Sequence, residues 1–433
     1  MIHYITPTGI GSAWIGNEIS IVSRHGIPFV LHSMRPSNQR FFASEWAKEL
    51  DRSTRLIYPI PPLKLAASVA AAPFLFGGRF FAALANALFG KRESLRNRVA
   101  GIWHFLVACY WARRLREGER RGEPVSLIHS QWIHSGGTIG MYGAWLLGAP
   151  FSFTGHAADL FRERCALEDK IRRAEFIICI SRFHWDLYKS LGARDEQLHI
   201  TYCGIDVTHF VPRPRPPRQG RRVRILSSGR LVEKKGFAGL IDACRILVDE
   251  GLDIECVIAG DGPLEGELRA QVKRLGLEDR VTLTGRALVQ EAIPEFMHSG
   301  DIYCLNCVWA KDNDVDGLPQ MLMEAMGCGK PSVSTRLVGI PDLCIHEETG
   351  LLVEPGNTRE LAAALRRLVE DEALSARLGE AAARWVREKF EINAALQPLI
   401  RLFREKLGER SGAEAAGAEG APAVAGAESG GRA

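Results

Sequence analysis

Val223-Arg-Ile-Leu-Ser-Ser228-Gly229-Arg230-Leu-Val-Glu-Lys-Lys235-Gly236 reads as a short apolar strand, a glycine turn bearing an arginine, and paired lysines at the mouth of a helix. A strand bounded by glycine and followed by a 3.6-residue periodicity is the opening of a parallel βαβ unit. Its chemistry is as telling as its geometry. Arg230 stands at the strand end and Lys235 at the next helix start, which suits a diphosphate, each charged hydrogen bond contributing about 1.5–3 kcal/mol. Surface charge in a turn is the alternative reading for each cation alone.

The same pattern recurs along the chain. Strands are predicted at 254–259, 281–284, 302–305, 332–335 and 351–353, with helices between them, and Asn357 with Glu360 opens a long helical stretch to about Leu407. Upstream, strands are predicted at 4–6, 28–34, 127–132, 151–154, 176–181 and 199–203. Strictly alternating strands and helices imply α/β architecture with parallel sheets covered on both faces. The proline-rich run 211–220 cannot continue helix or sheet and reads as a linker. Five segments follow: an N-terminal half (1–205), a linker (206–222), a C-terminal half (223–390), a final helix (391–409) and a disordered Ala/Gly/Glu/Ser tail (410–433).

Ligands of open parallel sheets bind beyond the carboxyl ends of the strands. In the second half those ends carry Gly260-Asp-Gly262-Pro, Gly285-Arg286 and Asp316-Gly317-Leu318-Pro-Gln-Met-Leu-Met-Glu324. Gly262, Gly285 and Arg286 suit close approach by a flat base or ribose, although each alone is an ordinary turn. Pro319 suits a first helical turn, leaving the amides of Gly317 and Leu318 aimed at an anion. Glu324 falls among Met321, Leu322, Met323 and Met326, where a carboxylate without a hydrogen-bonding partner costs several kcal/mol, roughly. A ribose diol would be such a partner. In the first half, His156 and Asp159 follow a strand and could hold a sugar hydroxyl or balance charge at a reacting centre.

Composition excludes several classes. With 433 residues, 46% hydrophobic and 24% charged, the chain is long enough for two cores, and a net charge of +4 gives no argument for nucleic acid. The start, Met1-Ile-His-Tyr, has no basic leader or apolar signal core, so a cytoplasmic location is expected. Ten cysteines lack framework spacing, and Cys304 and Cys307 form a CxxC inside strand-like sequence where redox chemistry is not expected. Gly9-Ile-Gly11-Ser-Ala-Trp14 puts tryptophan where a dinucleotide fingerprint needs a small residue, which sets a dehydrogenase aside.

Residues 63–89 are Ala- and Phe-rich and are followed by Lys91, Arg92, Arg96, Arg98, Arg113, Arg114, Arg116, Arg120 and Arg121. Neither apolar stretch flanking Gly77-Gly78-Arg79 reaches the roughly 20 residues of a bilayer crossing. An interfacial segment on the inner face of an anionic membrane is one reading, and a helical hairpin packed on the first half is the other.

Together, Gly229-Arg230, Lys235-Gly236, Gly260-Asp-Gly-Pro263, Gly285 and the Asp316-to-Glu324 motif resemble the retaining glycosyltransferases of family 4, closest to bacterial exopolysaccharide and colanic-acid-type enzymes. Ser12-Ala-Trp-Ile15, His156 to Asp159 and Gly204-Ile-Asp206 extend the resemblance more loosely. It implies a GT-B fold, two Rossmann-like domains facing across a cleft, with a last helix (394–407) crossing back. It further implies that Arg230 and Lys235 bind the diphosphate of a UDP- or GDP-sugar. Glu324 would bind the ribose, Asp316 with Gly317 and Leu318 the sugar and phosphate, and His156 the sugar from the opposing domain. The acceptor would be a saccharide or lipid-linked saccharide, attacked with retention and without a required metal. Asp316 stands where the family usually has Glu, roughly 1.5 Å shorter in reach, and Ile15-Gly16-Asn17 replaces paired glycines in the N-terminal loop. A sugar-nucleotide epimerase of the same fold, or a non-catalytic paralogue that binds sugar nucleotide or membrane, remain alternatives.

Overall fold

In the computed structural model, which describes the chain apart from residues 12, 38–44, 163, 215–217 and 409–433, the alternation builds two parallel sheets. The first contains β1 (Ile2–Thr6), β2 (Phe29–Ser33), β3 (Arg55–Leu56), β4 (Leu127–Gln131), β5 (Phe151–Thr154), β6 (Phe176–Cys179) and β7 (Leu198–Ile200), in the order β3-β2-β1-β4-β5-β6-β7. The second contains β8 (Val223–Ser228), β9 (Ile254–Ala259), β10 (Val281–Leu283), β11 (Ile302–Leu305), β12 (Ser332–Thr335) and β13 (Leu351–Val353), in the order β10-β9-β8-β11-β12-β13. Each order reverses once, at β1/β4 and at β8/β11. A crevice opens at each reversal, because consecutive crossovers leave in opposite directions. The expected tail lies outside the described residues, as does part of the linker.

Helices α1 (Ala13–Arg24), α2 (Glu45–Ser53), α3 (Pro62–Phe76), α4 (Gly78–Phe89), α5 (Leu95–Glu119), α6 (Ser135–Leu147), α7 (Leu167–Arg173) and α8 (Arg182–Ser190) belong to the first half. The second half adds α9 (Phe237–Asp249), α10 (Glu265–Arg274), α11 (Ile293–His298), α12 (Gln320–Gly327), α13 (Ile340–Leu343), α14 (Thr358–Glu370), α15 (Glu372–Lys389) and α16 (Ile392–Lys406). Asn357 is the N-cap of α14, its side chain accepting from the Glu360 amide, while the Glu360 carboxylate accepts the amide of Glu354 rather than that of Asn357. The long helix expected after it is three. Asp371 accepts from the Leu374 amide and Glu391 from the Ala394 amide, so each break carries its own N-cap. α16 then crosses to the first sheet, with Phe403 5.7 Å from Tyr4 and 5.3 Å from His129, ring centre to ring centre.

Residues 63–89 form a helical hairpin, turned at Gly77 (φ 55°). Ala72, Phe76, Phe80, Ala83 and Ala87 face the core, and Phe80 meets Phe105 of α5 at 5.5 Å. Part of the basic cluster serves this packing. Arg79 donates to the carbonyl of Leu147, Arg98 to that of Leu88 and Arg116 to that of Leu75, each near a helix C-terminus where carbonyls lack intrahelical partners. Arg92 is wholly buried, paired with Asp169 at 2.8 Å and donating to the Tyr142 hydroxyl at 2.7 Å. On the outer side, Leu63, Phe74, Phe81 and Phe89 remain exposed.

Candidate functional site

The β8/β11 crevice is where the cations converge. After β8 the backbone turns at Gly229 (φ 143°), and the Lys235 side chain passes over it, its Cε 3.2 Å from where a Cβ would stand. Gly236 (φ 65°) caps α9 against the Asn306 carbonyl so closely that any side chain would collide. This fixes both lysines. Lys235 Nζ lies 2.5 Å from Asp316 Oδ2, while Lys234 Nζ lies 3.2 Å from Asp316 Oδ1 and 3.1 Å from Asp314. Burial alone would push the Asp316 carboxyl up, but Lys235 and Lys234 outweigh it and hold it below the usual range. Burial likewise works against charge on Lys235, and Asp316 more than compensates, leaving its pKa raised.

A cavity of about 180 Å³ lies between the halves, lined by Lys234, Asp316, Gly317, Leu318, Gln320 and Met323 from one side and Trp14, Trp132, His156 and Ala157 from the other. That is below the roughly 300–1,000 Å³ of pockets that enclose whole drug-sized ligands. Gly317 faces the first half, where an added Cβ would stand 3.4–3.5 Å from Ile180, Ala157 and His184. Pro319 stands at the N-cap of α12 rather than inside its first turn.

His156 leans against Trp14 with ring centres 3.9 Å apart and planes tilted by 41°, and sits 5.2 Å from Trp132. Burial, then His184, lowers its pKa to about 3, so the ring is neutral. A chain of hydrogen bonds sets its tautomer. Gln131 Nε2 donates to Glu18 Oε1 at 2.5 Å, so its Oε1, 3.2 Å from His156 Nε2, receives that ring proton and leaves Nδ1 an acceptor. Asp159 does not face the cavity. It is buried, and its two oxygens accept the amides of His156 (2.7 Å) and Ile133 (2.5 Å), which makes it the clamp of two loops.

The remaining sequence candidates are more dispersed. Arg230 is exposed at the β8 end, and Arg286 is exposed beyond β10. Gly285 (φ 64°) lies against Glu265. Gly260 and Gly262 permit close approach, but of another turn: a Cβ at Gly262 would strike the Leu231 backbone, and Leu231 N donates to the Asp261 carbonyl at 2.7 Å. Gly16 is buried within α1 and does not line the cavity, whereas Trp14, two residues earlier, does. Glu324 is 1% exposed. Gln290 reaches its Oε1 at 3.4 Å, its Oε2 has no partner among the described residues, and burial raises its pKa to about 8. Sequence reasoning passed over Lys234, Trp132, Gln131 and Glu18. For Trp132 a signal existed in its place at the carboxyl end of the predicted strand 127–132; the structure turns the chain there with φ 76°.

The comparisons agree with this geometry. The family described as Glycosyltransferase Family 4 matches residues 82–209, and that described as Glycosyl transferases group 1 matches residues 213–385. The amylovoran biosynthesis glycosyltransferase AmsK of Erwinia amylovora is 37% identical over 50% of this chain and 54% of that protein. The putative colanic acid biosynthesis glycosyltransferase WcaL of Escherichia coli is 33% identical over 63% of this chain and 62% of that protein. The chain thus spans between half and two thirds of the length of these curated relatives. Anabaena HepE in complex with UDP superposes with a TM-score of 0.67 at 18% identity, over 93% of this chain and 99% of that one, a likeness of fold. Two matched segments, two parallel sheets with a cavity between the halves and a returning C-terminal helix lead to one conclusion: the chain has the GT-B fold and is similar, half by half, to the glycosyltransferases of these two family models.

Proposed function

We propose that this protein transfers a glycosyl group, with retention, from a nucleoside diphosphate sugar to a saccharide or lipid-linked saccharide in surface glycan synthesis. The observation that carries the reading is Asp316 held between Lys234 and Lys235 at the β8/β11 crevice, across the cavity from neutral His156. In this reading the lysines and the amides of Gly317 and Leu318 neutralise the leaving diphosphate, so no metal is required. Glu324 Oε2, buried and unpartnered, receives a ribose hydroxyl. Retention by front-face attack is favoured because both Asp316 oxygens are engaged by ammonium groups, which leaves no free carboxylate nucleophile among the described residues of the cavity wall.

Relatives named for amylovoran and colanic acid biosynthesis support the glycan setting, and the UDP bound by HepE supports a nucleotide donor. A panel of UDP- and GDP-sugars offered to the purified protein is expected to reveal hydrolysis or transfer with at least one donor, undiminished by EDTA. Absence of binding and turnover across the panel sinks the reading.

The reading includes the inner membrane face. Among the described residues no helix is long and apolar enough to cross a membrane. The hairpin instead presents Leu63 (85% exposed), Phe74 (91%) and Phe89 (81%) beside exposed Lys64 and Arg96, the mixture that an anionic bilayer surface attracts.

A further inference from the structure

The β1/β4 crevice carries chemistry that the donor site leaves unused. Two hollows, of about 560 and about 540 Å³, meet there at His104, His134 and Ser135. Their shared floor is the N-terminus of α6, a 13-residue helix with no side-chain cap, so its first amides point into the hollow without intrahelical partners. His104 supplies an independent observation: it is 7% exposed, lines both hollows, and its Nδ1 has no partner among the described residues. Burial, with Lys170 and His134, holds it neutral.

Cations frame this floor. Arg35 enters from the end of β2, Arg96 from the first turn of α5 and Arg164 from the loop after β5. Arg35 and Arg96 make no ion pair among the described residues, and Arg164 Nε donates to the Leu160 carbonyl at 2.6 Å. Among the described residues the one carboxylate on the wall is Glu93, which accepts the amides of Ala166 (3.0 Å) and Leu167 (3.2 Å). The lip is apolar. Met34, Tyr58 and Trp103 line it, and Trp103 is followed toward the hairpin along α5 by Val99 (63% exposed) and Leu95 (77%).

We infer that this groove binds a lipid diphosphate, the anionic end of an amphiphilic acceptor, with its phosphates over the α6 N-terminus between Arg35, Arg96 and Arg164 and its hydrocarbon along Trp103, Val99 and Leu95. The inference rests on the donor-site reading above and assigns the acceptor class. His134 stacks on Trp132 at 5.7 Å, and Trp132 also lines the donor cavity, so a sugar close to the phosphates reaches that cavity directly. His104 Nδ1 then meets a phosphate or sugar hydroxyl.

The test titrates the full chain with farnesyl diphosphate, inorganic pyrophosphate, phosphatidylglycerol vesicles and, separately, UDP. Farnesyl diphosphate is expected to bind more tightly than pyrophosphate. Arg35→Ala and Arg96→Ala are each expected to weaken it about tenfold, one charged hydrogen bond, with UDP affinity unchanged. His104→Gln is expected to act in the same direction. Pyrophosphate binding as tightly as farnesyl diphosphate overturns the amphiphile. Binding of vesicles alone, or loss of UDP affinity in the arginine variants, overturns the separate site. Absence of UDP binding by the unaltered protein is instead a failure of the donor reading, and the farnesyl diphosphate titration still judges the groove.

Discussion

Lys235 Nζ and Asp316 Oδ2 stand 2.5 Å apart, on loops that leave adjacent strands β8 and β11, and Lys234 holds the other carboxylate oxygen. The aspartate therefore restrains two ammonium groups that would otherwise repel each other. Asp316→Asn leaves Lys235 without its counter-charge in a buried setting, while Lys234 keeps Asp314, and we expect a loss of about 3 kcal/mol in unfolding free energy. The same change frees Lys235 for phosphate, Lys234 keeping Asp314, so UDP affinity should rise while transfer falls. Calorimetric titration and denaturant unfolding of one preparation check both outcomes; weakened UDP binding contradicts the arrangement.

Lys234→Ala and Lys235→Ala should each weaken UDP binding by about 1.5 kcal/mol or more. Because the lysines share Asp316, the double variant should depart from the sum of the singles by roughly 0.5 kcal/mol or more. Unchanged affinity in both singles removes the phosphate role.

Buried groups predict a stability maximum near neutral pH. Burial lowers His129, His156 and His184 to about 3 and His3 and His104 to about 4, against 6.5 for an ordinary imidazole. The unfolded chain takes up protons that these rings refuse, so their contribution rises with pH until about 6.5. Burial raises Glu18 and Asp159 to about 7 and Glu324 to about 8; these folded carboxyls keep protons that the unfolded chain has released, so their contribution falls up to those values. Ligand-free thermal midpoints should climb to about pH 6.5 and then decline toward 8. Glu324→Gln should flatten the upper decline; a midpoint still climbing at pH 8 contradicts the assignment.

Phe74→Ser, Phe81→Ser and Phe89→Ser together remove exposed apolar surface and leave the buried Ala72, Phe76, Phe80 and Ala83 in place, at the loss of one edge contact between Phe81 and Phe80. Flotation with phosphatidylglycerol vesicles should fall several-fold while the thermal midpoint stays within a few degrees. Retained flotation excludes the hairpin as the contact.

Asp159→Asn should cost about 1–3 kcal/mol through its two amide acceptors. It should also lower kcat more than UDP affinity, because the loops it ties carry His156 and lead from Trp132 into His134. Equal loss of both would make it a general support of the fold.

The strands beyond 223 were legible because each is a short run with a strand's composition, the first three closed by Gly229, Gly260 and Gly285, and local pattern suffices when both faces of a sheet are buried. The two-residue β3 was not, since pairing at a sheet edge leaves no period to read. The ends carrying Arg230, Lys235, Asp316 and His156 could be named from strand order alone. What each does was decided by the tertiary fold. Asp159 sits beside His156 in the chain yet points into backbone, Gly262 serves a neighbouring turn, and Lys234 and Trp132 join the cavity. Sequence gives spacing along one strand or helix, whereas a side chain's partner depends on which loops two parallel sheets bring to one crevice, a relation between residues tens to hundreds of positions apart.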